Sequence, residues 1–158
     1  MATINMKQGG ATAGLSVSPT SQPGIVSIKV RAVDVVAANG GVTIGAGDVI
    51  QLMDIPAYTR YGYGTINVKT IDSGTAFTVN LGATNADEFI AAGPFTTLGI
   101  VPEGTGTFDL NLISGAADVL ALTVAAETAT GDDWVVEVLV EVADYTGNPR
   151  ARSAKDVA

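Results

Sequence analysis

Apolar and polar residues alternate along much of this chain with a period of two. The plainest case is residues 134–143, where Trp134, Val136, Val138, Val140 and Val142 share one side and Glu137 and Glu141 mark the other. Such alternation is the signature of a half-buried strand. Val135 and Leu139 add apolar surface to the Glu side, so partial burial of both faces is expected. Ile66 and Val68, then Phe77, Val79 and Leu81, then Phe108, Leu110 and Leu112 repeat the pattern. Residues 25–36 are expected to form a long strand, with Ile28 and Val30 alternating against Lys29 and Arg31 until the phase slips at Ala32-Val33. A bulge explains such a slip. Asn39-Gly40-Gly41 tolerates positive φ and suits a tight turn after that strand.

An apolar run, Val49, Ile50, Leu52 and Met53, ends at Ile55-Pro56-Ala57, where a proline cannot donate to a ladder. Ala91-Ala92-Gly93-Pro94 reads as loop, and a second apolar run covers residues 119–126 before a turn at Thr130-Gly131-Asp132-Asp133. Beyond a short turn at residues 85–92 no stretch has the spacing of an amphipathic helix. Six to eight strands separated by Gly, Pro, Asn and Asp predict an all-β protein: an antiparallel β-sandwich, with a jelly roll as one form of it. Residues 1–24, rich in Gly, Ser, Thr and Pro, read as a flexible or extended arm; residues 25–144 form the single sandwich domain; residues 145–158 form a basic C-terminal tail.

Composition narrows the chemistry. At 158 residues the chain supports one sizeable core. It has no cysteine, so disulfides, thiolate metal sites and a cysteine nucleophile are excluded, and no histidine, which removes the usual general base at neutral pH. The first residues hold no apolar core of a secretory signal and no run of 18 apolar residues occurs, so synthesis in a cytoplasm and no membrane span are expected.

Charge is unevenly placed. Residues 70–149 contain twelve acids and no base, whereas residues 1–69 hold five bases against three acids, and Arg150, Arg152 and Lys155 lie in the tail. A net charge of −8 opposes binding to nucleic acid or to an anionic membrane through the body of the fold. Such a charge serves solubility; the sharper expectation is that the basic N-terminal part or the tail meets an acidic neighbour while the acidic part faces solvent.

Carboxylates are the plentiful functional groups. Asp132-Asp133 with Glu127 matches no EF-hand pattern and reads as a solvated turn, and Gly62-Tyr63-Gly64 and Gly104-Thr105-Gly106 precede strand-like sequence instead of the helix a phosphate loop needs. No catalytic, cofactor or metal residue is therefore assigned, and no enzyme activity is expected. Tyr58, Tyr61 and Tyr63 with Arg60 form the one aromatic cluster, and tyrosines are common anchors at protein interfaces. With Arg150, Arg152 and Lys155 they are the candidate contact residues.

The order Gly47-Asp48, Leu52, Ile55-Pro56-Ala57-x-Thr59, followed by Leu81-Gly82-x-Thr84-x-Ala86-Asp87-x-Phe89, resembles small structural proteins of tailed bacteriophage virions. That resemblance implies a head decoration or cement protein on the outer capsid surface, bound to the major capsid protein and clustered as a homotrimer. A ligand- or carbohydrate-binding β-sandwich module of a phage fibre is the alternative, carried by the same tyrosine cluster.

Overall fold

A computed structural model gives the fold and describes residues 1–7, 24–55, 59–74, 76–83, 86–101, 112–113, 116–127 and 133–144. Among these residues ten strands and one helix occur: β1 (Thr3–Asn5), β2 (Gly24–Arg31), α1 (Ala32–Ala38), β3 (Val49–Ile55), β4 (Thr59–Thr70), β5 (Thr78–Gly82), β6 (Ile90–Pro94), β7 (Gly99–Ile100), β8 (Leu112–Ile113), β9 (Asp118–Ala126) and β10 (Val135–Asp144). They form two sheets. The first has the order β1-β3-β9-β5-β6; the second has the order β2-β10-β4-β7, with β8 also paired to β4. All pairings are antiparallel except β1 with β3. The all-β sandwich expected from the alternation is the fold observed.

The core forms where the two apolar sides meet. Val136, Val138 and Val140 of β10 are fully buried, and their partners across the ladder are Val30, Ile28 and Val26 on β2 and Val68, Ile66 and Gly64 on β4. From the first sheet come Ile50, Leu81, Leu120, Leu122 and Val124. Between the sheets at one end lie Trp134, Phe77 and Phe95, with ring centroids 5.1–5.5 Å apart. Gly64 is required by this packing, since a Cβ there would stand 2.6 Å from the Phe89 ring.

Four expectations are corrected. The long strand over residues 25–36 stops at Arg31, and α1 follows. The slip at Ala32-Val33 is a change of period, not a bulge: Ala32 and Val35 are buried and Val36 packs on the core, which is helical spacing. Asn39-Gly40-Gly41 accordingly ends a helix, with Gly41 N–H donating to the Val36 carbonyl and both glycines at positive φ. Second, Ala91-Ala92-Gly93-Pro94 is not loop but belongs to β6, where Ile90 and Gly93 face Leu81 and Val79. Third, the short helical turn over residues 85–92 is absent from its described part: residues 86–89 are turn and bend, and β6 begins at Ile90. Fourth, the arm expected over residues 1–24 opens with β1, whose Ile4 is buried in the core opposite Ile50. Residues 8–23 and the tail from residue 145 lie outside the described residues, as do Phe108 and Leu110.

Candidate interaction surface

The strand order gathers the bases onto one sheet. Lys29 and Arg31 sit on β2, and Arg60 and Lys69 on β4, the two strands that flank β10. Of the bases among the described residues only Lys7 lies elsewhere, next to β1, where its ammonium donates to Asp54 at 2.6 Å. Alternation turns Lys29, Lys69 and Glu137 away from the core. Glu137 lies opposite Lys29 and Asn67; it accepts a hydrogen bond from the Ser27 hydroxyl at 2.6 Å and pairs with the Lys69 ammonium at 3.2 Å. The Ser27 hydroxyl first, and then Lys69, hold its carboxyl below the usual carboxylate range. At the end of β2 the Arg31 guanidinium grips Asp34 of α1 through two bonds of 2.7 and 2.8 Å. This face is a set of surface ion pairs, hydrated and individually weak.

The outward side of the first sheet differs. Its central rows are Val49, Thr123 and Asn80, then Gln51, Ala121 and Gly82, all uncharged and mostly small. Covering these central rows strips no ion of water; the charged pair of this face, Asp54 with Lys7, lies beyond them.

The buried carboxylates are used locally. Asp48 accepts from the N–H groups of Gly45 and Ala2, and an α-ammonium at Met1 lies 3.7 Å away. Burial pushes this carboxyl up, but those donors outweigh it and hold the group below its ordinary value. Asp72 accepts from the Gly74 N–H at 2.6 Å and Glu88 from the Ala83 N–H at 3.2 Å, and the exposed Asp133 likewise accepts from the Ser73 N–H at 3.0 Å. Each acid fastens a turn or a strand end. Among the described residues no three acids come together to hold a metal ion.

Of the contact residues read from the sequence, Arg60, Tyr61 and Tyr63 begin β4, where their backbones pair with Ala143, Val142 and Glu141 of β10. Arg60 and Tyr61 also pair with Ile113 and Leu112 of β8. Tyr58, Arg150, Arg152 and Lys155 lie outside the described residues. Sequence reasoning missed a second kind of surface residue. Val33, Val42, Ile71, Leu98 and Ile100 are large, apolar and 42–64% exposed. The signal for two of them was present: Leu98-Gly99-Ile100 sets two aliphatic side chains in a glycine- and proline-rich stretch too short to bury them.

These features define an all-β protein of two mostly antiparallel sheets. No family model matches the sequence, and no curated relative does. Solved structures are similar in fold. A chain from the capsid of Ralstonia phage GP4 superposes with a TM-score of 0.66 at 17% identity, over 90% of this chain and 99% of that one. A chain from the cyanophage Pam1 capsid asymmetric unit gives 0.50 at 18% identity, over 78% of this chain and 84% of that one. At such identities the likeness is one of fold.

Proposed function

We propose that this chain is a non-enzymatic structural protein of a tailed-phage virion and that, within the virion, it is a decoration or cement protein. It binds the major capsid protein on the outer surface of the head and works there as a homo-oligomer, a trimer by the resemblance read from its sequence. The observation that carries this reading is the extent of the match to the Ralstonia phage GP4 capsid chain: 99% of that chain is covered by 90% of this one. The match runs nearly end to end of that capsid chain, which supports a virion role for this one. The Tyr58–Tyr63 cluster with Arg60, and the tail bases Arg150, Arg152 and Lys155, are the proposed contacts to the head. The bases suit an acidic patch there, since residues 70–149 of the chain itself carry no positive charge.

Cosedimentation of the purified chain with heads of the parent phage that lack it tests the proposal. Saturable binding, with heads that rupture at a higher temperature once coated, is the expected outcome. Absence of binding, or cryo-EM density for the chain on a tail fibre or inside the shell lattice, overturns the decoration role.

A further inference from the structure

Among the described residues β1 joins the first sheet along one flank only. It pairs parallel with β3 as the outermost strand, and it touches α1. The Ala2 carbonyl accepts from the Val49 N–H at 2.9 Å, and the Met6 N–H donates to the Gln51 carbonyl at 2.9 Å. Ile4 is 2% exposed and lies in the core, and Ala2 and Met6, two positions to either side, pack against that core. A carboxylate stands at each end of the segment. Asp48, immediately before β3, accepts from the Ala2 N–H, and Asp54, the next-to-last residue of β3, accepts from the Lys7 ammonium at 2.6 Å. Asp48 is buried, and the Lys7 side chain is only 18% exposed. At the usual rise of a strand the two acids are about 20 Å apart along β3, the length of a six- or seven-residue extended segment.

This arrangement has the form of a bound peptide. Strand addition at a sheet edge takes its affinity from main-chain hydrogen bonds and its choice of sequence from pockets for alternate side chains. Here the main-chain bonds run along β3, the core takes Ile4, and the two acids fix the ends. A slip of one residue would turn Ile4 to solvent and draw Lys7 away from Asp54. The next described element, β2, belongs to the other sheet and begins at Gly24, and none of these contacts is made by the chain between Lys7 and Gly24. We propose that the β3 edge between Asp48 and Asp54 is a peptide-binding site whose ligand is an extended segment with the sequence of residues 2–7, and that it accepts this segment from a separate molecule once its own is withdrawn. Covalent connection raises the local concentration of the chain's own segment, so that segment holds the site until it is weakened. The site stands whether or not the chain coats heads.

Titration of an acetylated peptide of residues 2–7 into the isotope-labelled full chain tests the site, with backbone amide signals as the readout. The acetyl group keeps the Ala2 N–H as the amide that Asp48 accepts from. In the Ile4→Ser chain the peptide is expected to shift the amides of Val49, Ile50 and Gln51 saturably and to leave β10 unmoved. In wild type the same additions should move them little, because the site is filled. A peptide carrying Ile4→Ser is expected not to bind. A peptide carrying Lys7→Glu should bind about two- to fivefold more weakly, the span for a partly exposed ion pair, and recover on an Ile4→Ser chain that also carries Asp54→Lys. A folded Ile4→Ser chain whose β3 amides ignore the peptide overturns the proposal, as does equal binding of either altered peptide or an equal response in wild type. Where Ile4→Ser loses its circular dichroism, Ile4→Ala takes its place; if that chain also unfolds, β1 is integral to the fold and the proposal fails.

Discussion

The two sheets solve the same packing problem with different regularity. In the second, β10 pairs with β2 over eight consecutive rows without a slip, its two shifts lying on the β4 side, and its outward face carries Glu137 bonded to Ser27 and Lys69 with Lys29 opposite. In the first, the β3–β9, β5–β9 and β5–β6 ladders each contain a register shift, and the central outward rows hold no charge, Asp54 with Lys7 standing beyond them. The contrast separates two roles of alternation. A regular ladder keeps its polar side polar along the whole strand, whereas a shifted one turns neighbouring residues to the same side. Leu52 and Met53 show the second case: they adjoin in sequence, both are buried, and the β3–β9 register skips between Gln51 and Met53.

What joins two unlike sheets into one unit is the aromatic end of the core. Trp134 stands just before β10 in the second sheet, while Phe77 precedes β5 and Phe95 follows β6 in the first. Replacing Trp134 with Ala is expected to cost about 3–5 kcal/mol, the usual range for deleting a large buried aromatic. Denaturant unfolding followed by far-UV circular dichroism gives the size, and amide exchange gives the distribution. Protection should fall in β9 as much as in β10. Loss confined to β10 would mean that the sheets are separable and that the comparison is between two units instead of two halves of one.

The same contrast explains what was legible in the sequence. β10 was readable residue by residue, because unbroken period two puts every Val of Trp134, Val136, Val138 and Val140 inside. The end of β3 was readable from Pro56. The helix α1 was not, because seven residues give less than two turns of helical spacing and follow directly on a strand of period two; only Ala32, Val35 and Val36 reveal it. β6 was hidden by Ala, Gly and Pro, poor strand formers that tolerate an edge position and, at Gly93, make room for Val101 and Ile90. β1 was hidden because three residues with one apolar side chain carry no period; what holds them is the β3 ladder and a carboxylate 44 positions beyond Ile4, and no local pattern reports either. The tyrosine cluster was found as residues, and its role remains a proposal.

Asp48 ties the residue before β1 to the turn before β3, so removing it should loosen the first sheet alone. Asp48→Ala leaves the Ala2 and Gly45 amides without their acceptor and is expected to cost about 1–3 kcal/mol at neutral pH. The pH dependence has a definite sign. The folded carboxyl titrates below its unfolded value of about 3.9, so its contribution is complete above that pH and disappears as the pH falls through the lower folded value. Wild type and variant should therefore converge in stability on acidification. Amide exchange should quicken at Ile4 and Asn5 and stay unchanged in β10; equal loosening of both sheets would refute the local role.

Glu137→Gln should have the smallest effect, though its side chain makes more polar contacts than any other outward-facing residue of β10. Glu137 and Lys69 are 31% and 47% exposed, so water already satisfies much of what the pair offers, and Gln can still accept from the Ser27 hydroxyl. The folded carboxylate titrates below its ordinary value, so its stabilising contribution exists above the unfolded pKa of about 4.3 and fades as the pH drops through the folded one. At neutral pH and low salt the variant should melt slightly below wild type, and the gap should close near 1 M salt, where the Debye length is about 3 Å. A loss as large as that of Asp48→Ala, or one that salt does not change, would show that the charged face of the second sheet stabilises the fold directly and that the difference between the two outward faces concerns stability as well as contacts.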